Sequence, residues 1–98
     1  MKGGMGIVEH LLGLHRACLT GIGRRAFFDA IEKAEDELRA VAPPRVRAVA
    51  SRRLQSIRRA GEAHFKHTHM RIPFSNPKVE ELAIYLVAHA RAREGRQD

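Results

Sequence analysis

Along this chain, stretches in which apolar residues return every three or four positions alternate with short stretches rich in glycine or proline. A return of three to four residues is the period of one side of an α-helix, and four such segments can be read. The first covers about residues 5–19. Ile7, Val8, Leu11, Leu12, Cys18 and Leu19 form its stripe, His15 lies beside them, and Thr20-Gly21-Ile22-Gly23 closes it. The second covers about 24–42, with Phe27, Phe28, Ile31, Ala34, Leu38 and Val41 as its stripe. Pro43-Pro44 ends it, because proline lacks an amide proton and restricts the residue before it.

The third segment covers about 45–65. Val46, Val49, Ala50, Leu54, Ile57, Gly61 and Phe65 fall within about 160° of arc at 100° per residue. Lys66 to Asn76 contains Pro73 and reads as an irregular loop, with a short extended piece at Met70-Arg71-Ile72. The fourth segment, about 77–93, has a marked start: Asn76 as N-cap, Pro77 at the first helical position, then Glu80 and Glu81. Val79, Leu82, Ala83, Leu86, Val87 and Ala90 are its apolar side. Residues 1–4 and 95–98 are expected to fray.

No two-residue alternation and no internal repeat competes with this pattern. Four amphipathic helices in 98 residues can bury their stripes only against one another. The expected fold is therefore all-α: one domain over residues 1–98, a small four-helix bundle without a sheet. A core of this size is marginal. Leftover apolar surface would favour a homodimer or docking into a larger assembly.

Composition narrows the class. Hydrophobic residues make up 44% and charged residues 30%, the balance of a globular chain and not of a disordered one. No apolar run is long enough for a membrane span, and no membrane partner is expected. The start, with one lysine and three glycines, does not read as a secretory signal. A lone cysteine, Cys18, fits a reducing compartment, so a cytoplasmic location is expected.

Charge changes the picture most. Eighteen Lys and Arg oppose eleven Asp and Glu, for a formal charge of +7, and such a surface attracts polyanions. The third segment holds the densest part: six arginines and no acid between Arg45 and Gly61. Arg45, Arg52 and Arg59 are seven residues apart, and Lys66 continues the series if the helix persists that far. Seven residues are nearly two turns, so these side chains form a slowly drifting row with steps of roughly 10 Å. Guanidinium groups on a rigid rod suit successive phosphates, which they contact in bidentate fashion, with little base readout. Arg47, Arg58, Arg24, Arg25 and Arg71 are candidates for the margins of this track. The competing reading is a solvated face. The second segment carries Asp29, Glu32, Glu35, Asp36 and Glu37, and antiparallel packing would let some of these pair with the arginines.

Three of the six histidines form His64-x2-His67-x-His69, a set of neutral imidazoles able to hold a divalent transition metal. His15 and Cys18 could add ligands in a clip of His15, Cys18, His64 and His67. Lys66 beside the cluster disfavours a bound cation, and solvent-exposed titrating histidines are the plainer reading. Gly21-Ile22-Gly23-Arg24-Arg25 precedes a helix N-terminus but lacks the strand and the Gly-Lys-Ser/Thr ending of a phosphate loop; it reads as a turn. For catalysis little is present. Cys18 sits in apolar company, and Ser51, Ser56 and Thr20 have no evident base.

These features lead to a non-enzymatic basic helical module that binds DNA or RNA through the phosphate backbone, as a small accessory subunit of a larger nucleoprotein assembly. The alternatives are a metal-binding or metal-responsive protein using His64, His67 and His69, and a protein–protein adaptor or homodimeric module docking through the first and fourth helices.

Overall fold

The connections between the first and second helices and between the second and third fall where the sequence places glycine or a proline pair. The computed structural model describes the backbone of residues 2–68, 73 and 75–95, and the side chains of residues 6–68, 73 and 75–89. Four helices follow one another: α1 (Lys2–Thr20), α2 (Arg24–Val41), α3 (Pro44–His67) and α4 (Pro77–Gly95). No strand occurs among the described residues, and none of the helices is long and apolar enough to cross a membrane.

After α1, Gly21 has φ 107°, a left-handed conformation that a Cβ would strain. Its amide still donates to the Ala17 carbonyl at 2.9 Å. The Thr20 hydroxyl turns back to the Arg16 and Ala17 carbonyls at 3.3 and 3.2 Å. Between α2 and α3, Ala42 and Pro43 are both extended. Pro44 opens α3, where a missing amide proton costs nothing, and the Pro43 carbonyl accepts from the Arg47 amide at 2.8 Å. Asn76 stands just before α4, with its carbonyl accepting from Val79 N–H at 3.1 Å.

In the resulting ring, α1 packs on α2 and α4, and α3 packs on α2 and α4; the backbones of the diagonal pairs stay apart. The two tight connections make α1, α2 and α3 successively antiparallel. Leu11, Cys18, Phe27, Ile31, Ala50, Leu54, Ile57, Val79 and Leu82 are wholly withdrawn from solvent at the centre. Near one end Phe27 meets Phe28 edge-on, with centroids 5.1 Å apart, and tilts against Phe65 at 5.8 Å. Gly61 of α3 lies directly beneath this cluster. A Cβ there would come within 3.0 Å of Cε2, Cζ and Cδ2 of Phe27, so the ring occupies the space that any other residue would need.

Some sequence expectations shift. The glycine-rich start, expected to fray, is helical from Lys2; α3 reaches His67 and α4 reaches Gly95. Lys66 and His67 are therefore helical and not part of a loop. On α1, Leu14 is buried while Leu12 and Leu19 are 38% and 49% exposed. The cause is angular: Leu12 and Leu19 lie roughly 100–120° around the helix from Cys18, beyond the arc that two neighbouring helices cover. Ile22, in the first turn, is buried with the core. The extended piece expected at Met70-Arg71-Ile72 lies outside the described residues, as does the side chain of Ala90.

Candidate nucleic-acid interface

Twenty-four residues of continuous helix make α3 a rod of about 36 Å. Its inner side is fixed by burial of Val46, Ala50, Leu54, Ile57, Gly61 and Phe65, with Val49 half-buried at the edge. That orientation determines what faces outward. Arg45, Arg52, Arg59 and Lys66 are all exposed, on the side opposite the buried stripe. None of the four forms an ion pair with a described residue. Successive members are about 10.5 Å apart along the axis and drift by about 20° per step. Since α3 persists through His67, Lys66 completes the series.

The acids of α2 diverge from this row. Glu35 points toward α3 and takes Arg58 at 3.0 Å, with both side chains only a quarter exposed. Glu37 points to α1 and accepts from His10 Nδ1 at 2.8 Å. Asp36 takes Arg39 on its own helix at 2.8 Å. Asp29, Glu32 and Asp36 line a shallow surface with Lys33 on the outer side of α2. Only one acid of α2 thus reaches an α3 arginine, and Arg58 is tied down as a structural pair. Arg47 is half-buried on the same flank.

At the far end of the row, Arg24 and Lys66 line one shallow pocket with Phe28, Glu62 and Phe65. The fold therefore brings the start of α2, with Arg25 exposed beside Arg24, next to the last cation of the track. Arg71 lies outside the described residues. Neither α2 nor α3 has an acid in its first turn, where the helix dipole favours one, and Arg24, Arg25 and Arg45 stand there instead. Each opposes the dipole by about 0.3–1 kcal/mol, so helix stability does not explain their placement.

The α4 side of the track contains residues that the sequence pattern did not assign. The Arg53 guanidinium lies over the Tyr85 ring, 5.0 Å from its centroid, and His89 stacks on Tyr85 at 6.5 Å. Lys78 Nζ donates to Ser56 Oγ at 2.8 Å, setting a further cation against α3. Lys78 was detectable in the sequence as a cation in the first turn of α4, where it opposes the dipole. Arg53 was masked by its nearness to the apolar stripe.

The described histidines of the expected cluster have separate surroundings. His64 is half-buried and edge-on to Phe65 at 4.7 Å, His67 is exposed, and His69 lies outside the described residues. No group of three His, Cys, Asp or Glu side chains among the described residues is placed to hold a metal ion. The clip of His15, Cys18, His64 and His67, whose members are all among the described residues, does not gather three ligands. Cys18 is fully buried, and that burial pushes its thiol up to about 11, away from thiolate chemistry. Comparison with protein-family models, with curated proteins and with solved structures returned no match.

Proposed function

We propose that this chain is a non-enzymatic module that binds nucleic-acid phosphates along the outer side of α3. The observation that carries this is the row Arg45, Arg52, Arg59 and Lys66, four exposed cations on one rigid helix with no acid of the described residues paired to them. Arg53 and Lys78 widen the row toward α4, and Arg24 extends it at the α2 end. An axial step of about 10.5 Å sets the cations far enough apart for each to meet a different phosphate of a bound strand. These contacts position a backbone and carry no sequence information.

Four phosphate contacts give only modest affinity at physiological salt, of the order of non-specific binding. A module of this kind gains affinity by operating within a larger nucleoprotein assembly, where several such surfaces act together. The test is fluorescence anisotropy with labelled single- and double-stranded DNA and RNA from 50 to 300 mM salt. For duplex DNA, log K should fall against log[salt] with a slope of about −3 to −4. The Arg52→Ala/Arg59→Ala variant should weaken binding equally across sequences and reduce the slope by about 2. Unchanged affinity in that variant, or no binding at 50 mM salt, overturns the assignment.

A further inference from the structure

A second surface stands out on the other side of the bundle. Three large hydrophobic residues are exposed among the described ones, Leu12, Leu19 and Ile84, and all three belong to α1 and α4. Ile84 is the most exposed at 61%. Between the two helices runs a groove lined by Val8, Leu12, Ala83, Ile84, Val87 and Ala88, without a single polar side chain. Leu19 continues it two turns along α1 from Leu12, on the same side. A contiguous apolar patch on a small chain marks a docking surface.

The charges around the patch indicate what covers it. Glu9 lies three residues before Leu12, and Arg16 lies three residues after Gly13, on the same outward side of α1. Both are exposed, and neither forms an ion pair with a described residue. In a two-fold pairing, residue i meets residue j and j meets i. An antiparallel copy of α1 centred between Leu12 and Gly13 places Glu9 opposite Arg16 of the second copy, and does so twice. It also lays Leu12 of one copy over Gly13 of the other, where the space a Cβ would occupy has nothing within 4 Å. Ile84 lines the same groove as Leu12, so the same pairing draws Ile84 of both copies into the contact.

We propose that the α1/α4 face docks a second copy of this chain, in an antiparallel two-fold arrangement with Leu12 and Ile84 at its centre and Glu9–Arg16 pairs at its rim. The patch carries both signs of charge, so a partner of one sign would leave one of these residues opposed. Two 19-residue helices side by side present a strip of about 28 Å by about 20 Å. That is somewhat below the roughly 800 Å² per partner of a standard interface, in the range of weak, reversible pairing. The α3 row lies diagonally across the ring from α1, so pairing leaves both tracks open. The docking stands independently of what α3 binds.

Sedimentation velocity on nucleic-acid-free protein, from 1 to 200 μM in 0.15 M salt, reads the association directly. A concentration-dependent dimer is expected. Ile84→Glu should raise the dissociation constant by about 100-fold or more, since the two-fold counts each substitution twice. Its helical circular dichroism should be unchanged, because the site is exposed. Glu9→Arg alone and Arg16→Glu alone should each weaken association by about 10-fold, and the double swap should restore it. A monomer throughout the range overturns self-docking and assigns the face to a different protein. A dimer indifferent to Ile84→Glu, or a double swap that fails to recover, overturns this face or this orientation.

Discussion

The outer side of α3 and the outer side of the α1/α4 pair are made of opposite materials. On α3 the inward residues are apolar and the outward row is cationic, so a single helix carries one buried side and one charged side. On α4 the inward Val79, Leu82 and Leu86 are matched by Ile84 and Ala88 facing out, and the helix is apolar on more than one side. A helix that is apolar beyond the arc its neighbours cover has more surface to bury than one bundle can use. One side of the molecule exposes cations to water, and the other exposes apolar side chains.

The contrast is most easily broken from beneath α3. Its arginines point outward only because its inner side lies close against α2, and Gly61 permits that approach. Gly61→Ala forces a methyl into the ring of Phe27, whose place is fixed by Phe28 and Phe65. Overpacking of this kind costs about 3 kcal/mol, seen as a fall in the urea midpoint at constant slope. Phe27→Leu in the same chain should return part of the loss as a non-additive coupling. A Gly61→Ala variant within about 0.5 kcal/mol of the parent would mean that the helices can separate freely there.

A smaller effect distinguishes the two kinds of arginine on α3. Arg58 is held by Glu35 at 3.0 Å with both side chains three-quarters buried, whereas Arg52 is exposed and unpaired among the described residues. Arg58→Ala should cost about 1 kcal/mol of folding stability, from the pair and from the packed stem. Arg52→Ala should stay within about 0.5 kcal/mol, while the same two variants reverse order in nucleic-acid binding. Chemical denaturation beside anisotropy makes the comparison. Equal effects in both assays would erase the division between structural and binding cations.

Much of the fold was legible because each stripe met a partner. The buried sets of α2 and α3 follow their sequence periodicity, and the proline pair and Gly21 mark the turns where expected. Leu12 and Leu14 show why α1 was harder: they are leucines two residues apart, yet Leu14 lies about 40° from Cys18, inside the arc that α2 and α4 cover, and Leu12 about 120° away, outside it. The row from Arg45 to Lys66 could be read from heptad spacing, since that depends on one helix alone. The pairing of Arg58 with Glu35, the placing of Arg53 over Tyr85 and the nearness of Arg24 to Lys66 join residues far apart in the chain. Such relations depend on how helices are rotated against each other, and one-dimensional spacing does not contain that rotation.

The smallest expected effect concerns Gly13, a second glycine in the middle of a helix. Gly13 lies on the solvent side of α1, its φ is not in the left-handed region, and a Cβ there meets nothing within 4 Å. Inside the single chain, then, glycine brings no packing advantage, only the conformational freedom that a helix must remove. Gly13→Ala should stabilise the monomer by about 0.5–1 kcal/mol, a rise of a few degrees in Tm when measured at concentrations too low for association. The same substitution at Gly61 goes the other way, although both residues sit in mid-helix, so propensity alone cannot order the two. If Gly13→Ala fails to stabilise, the outer side of α1 is already in contact with something at that concentration. The open surface opposite the arginine row would then be covered even in the dilute protein.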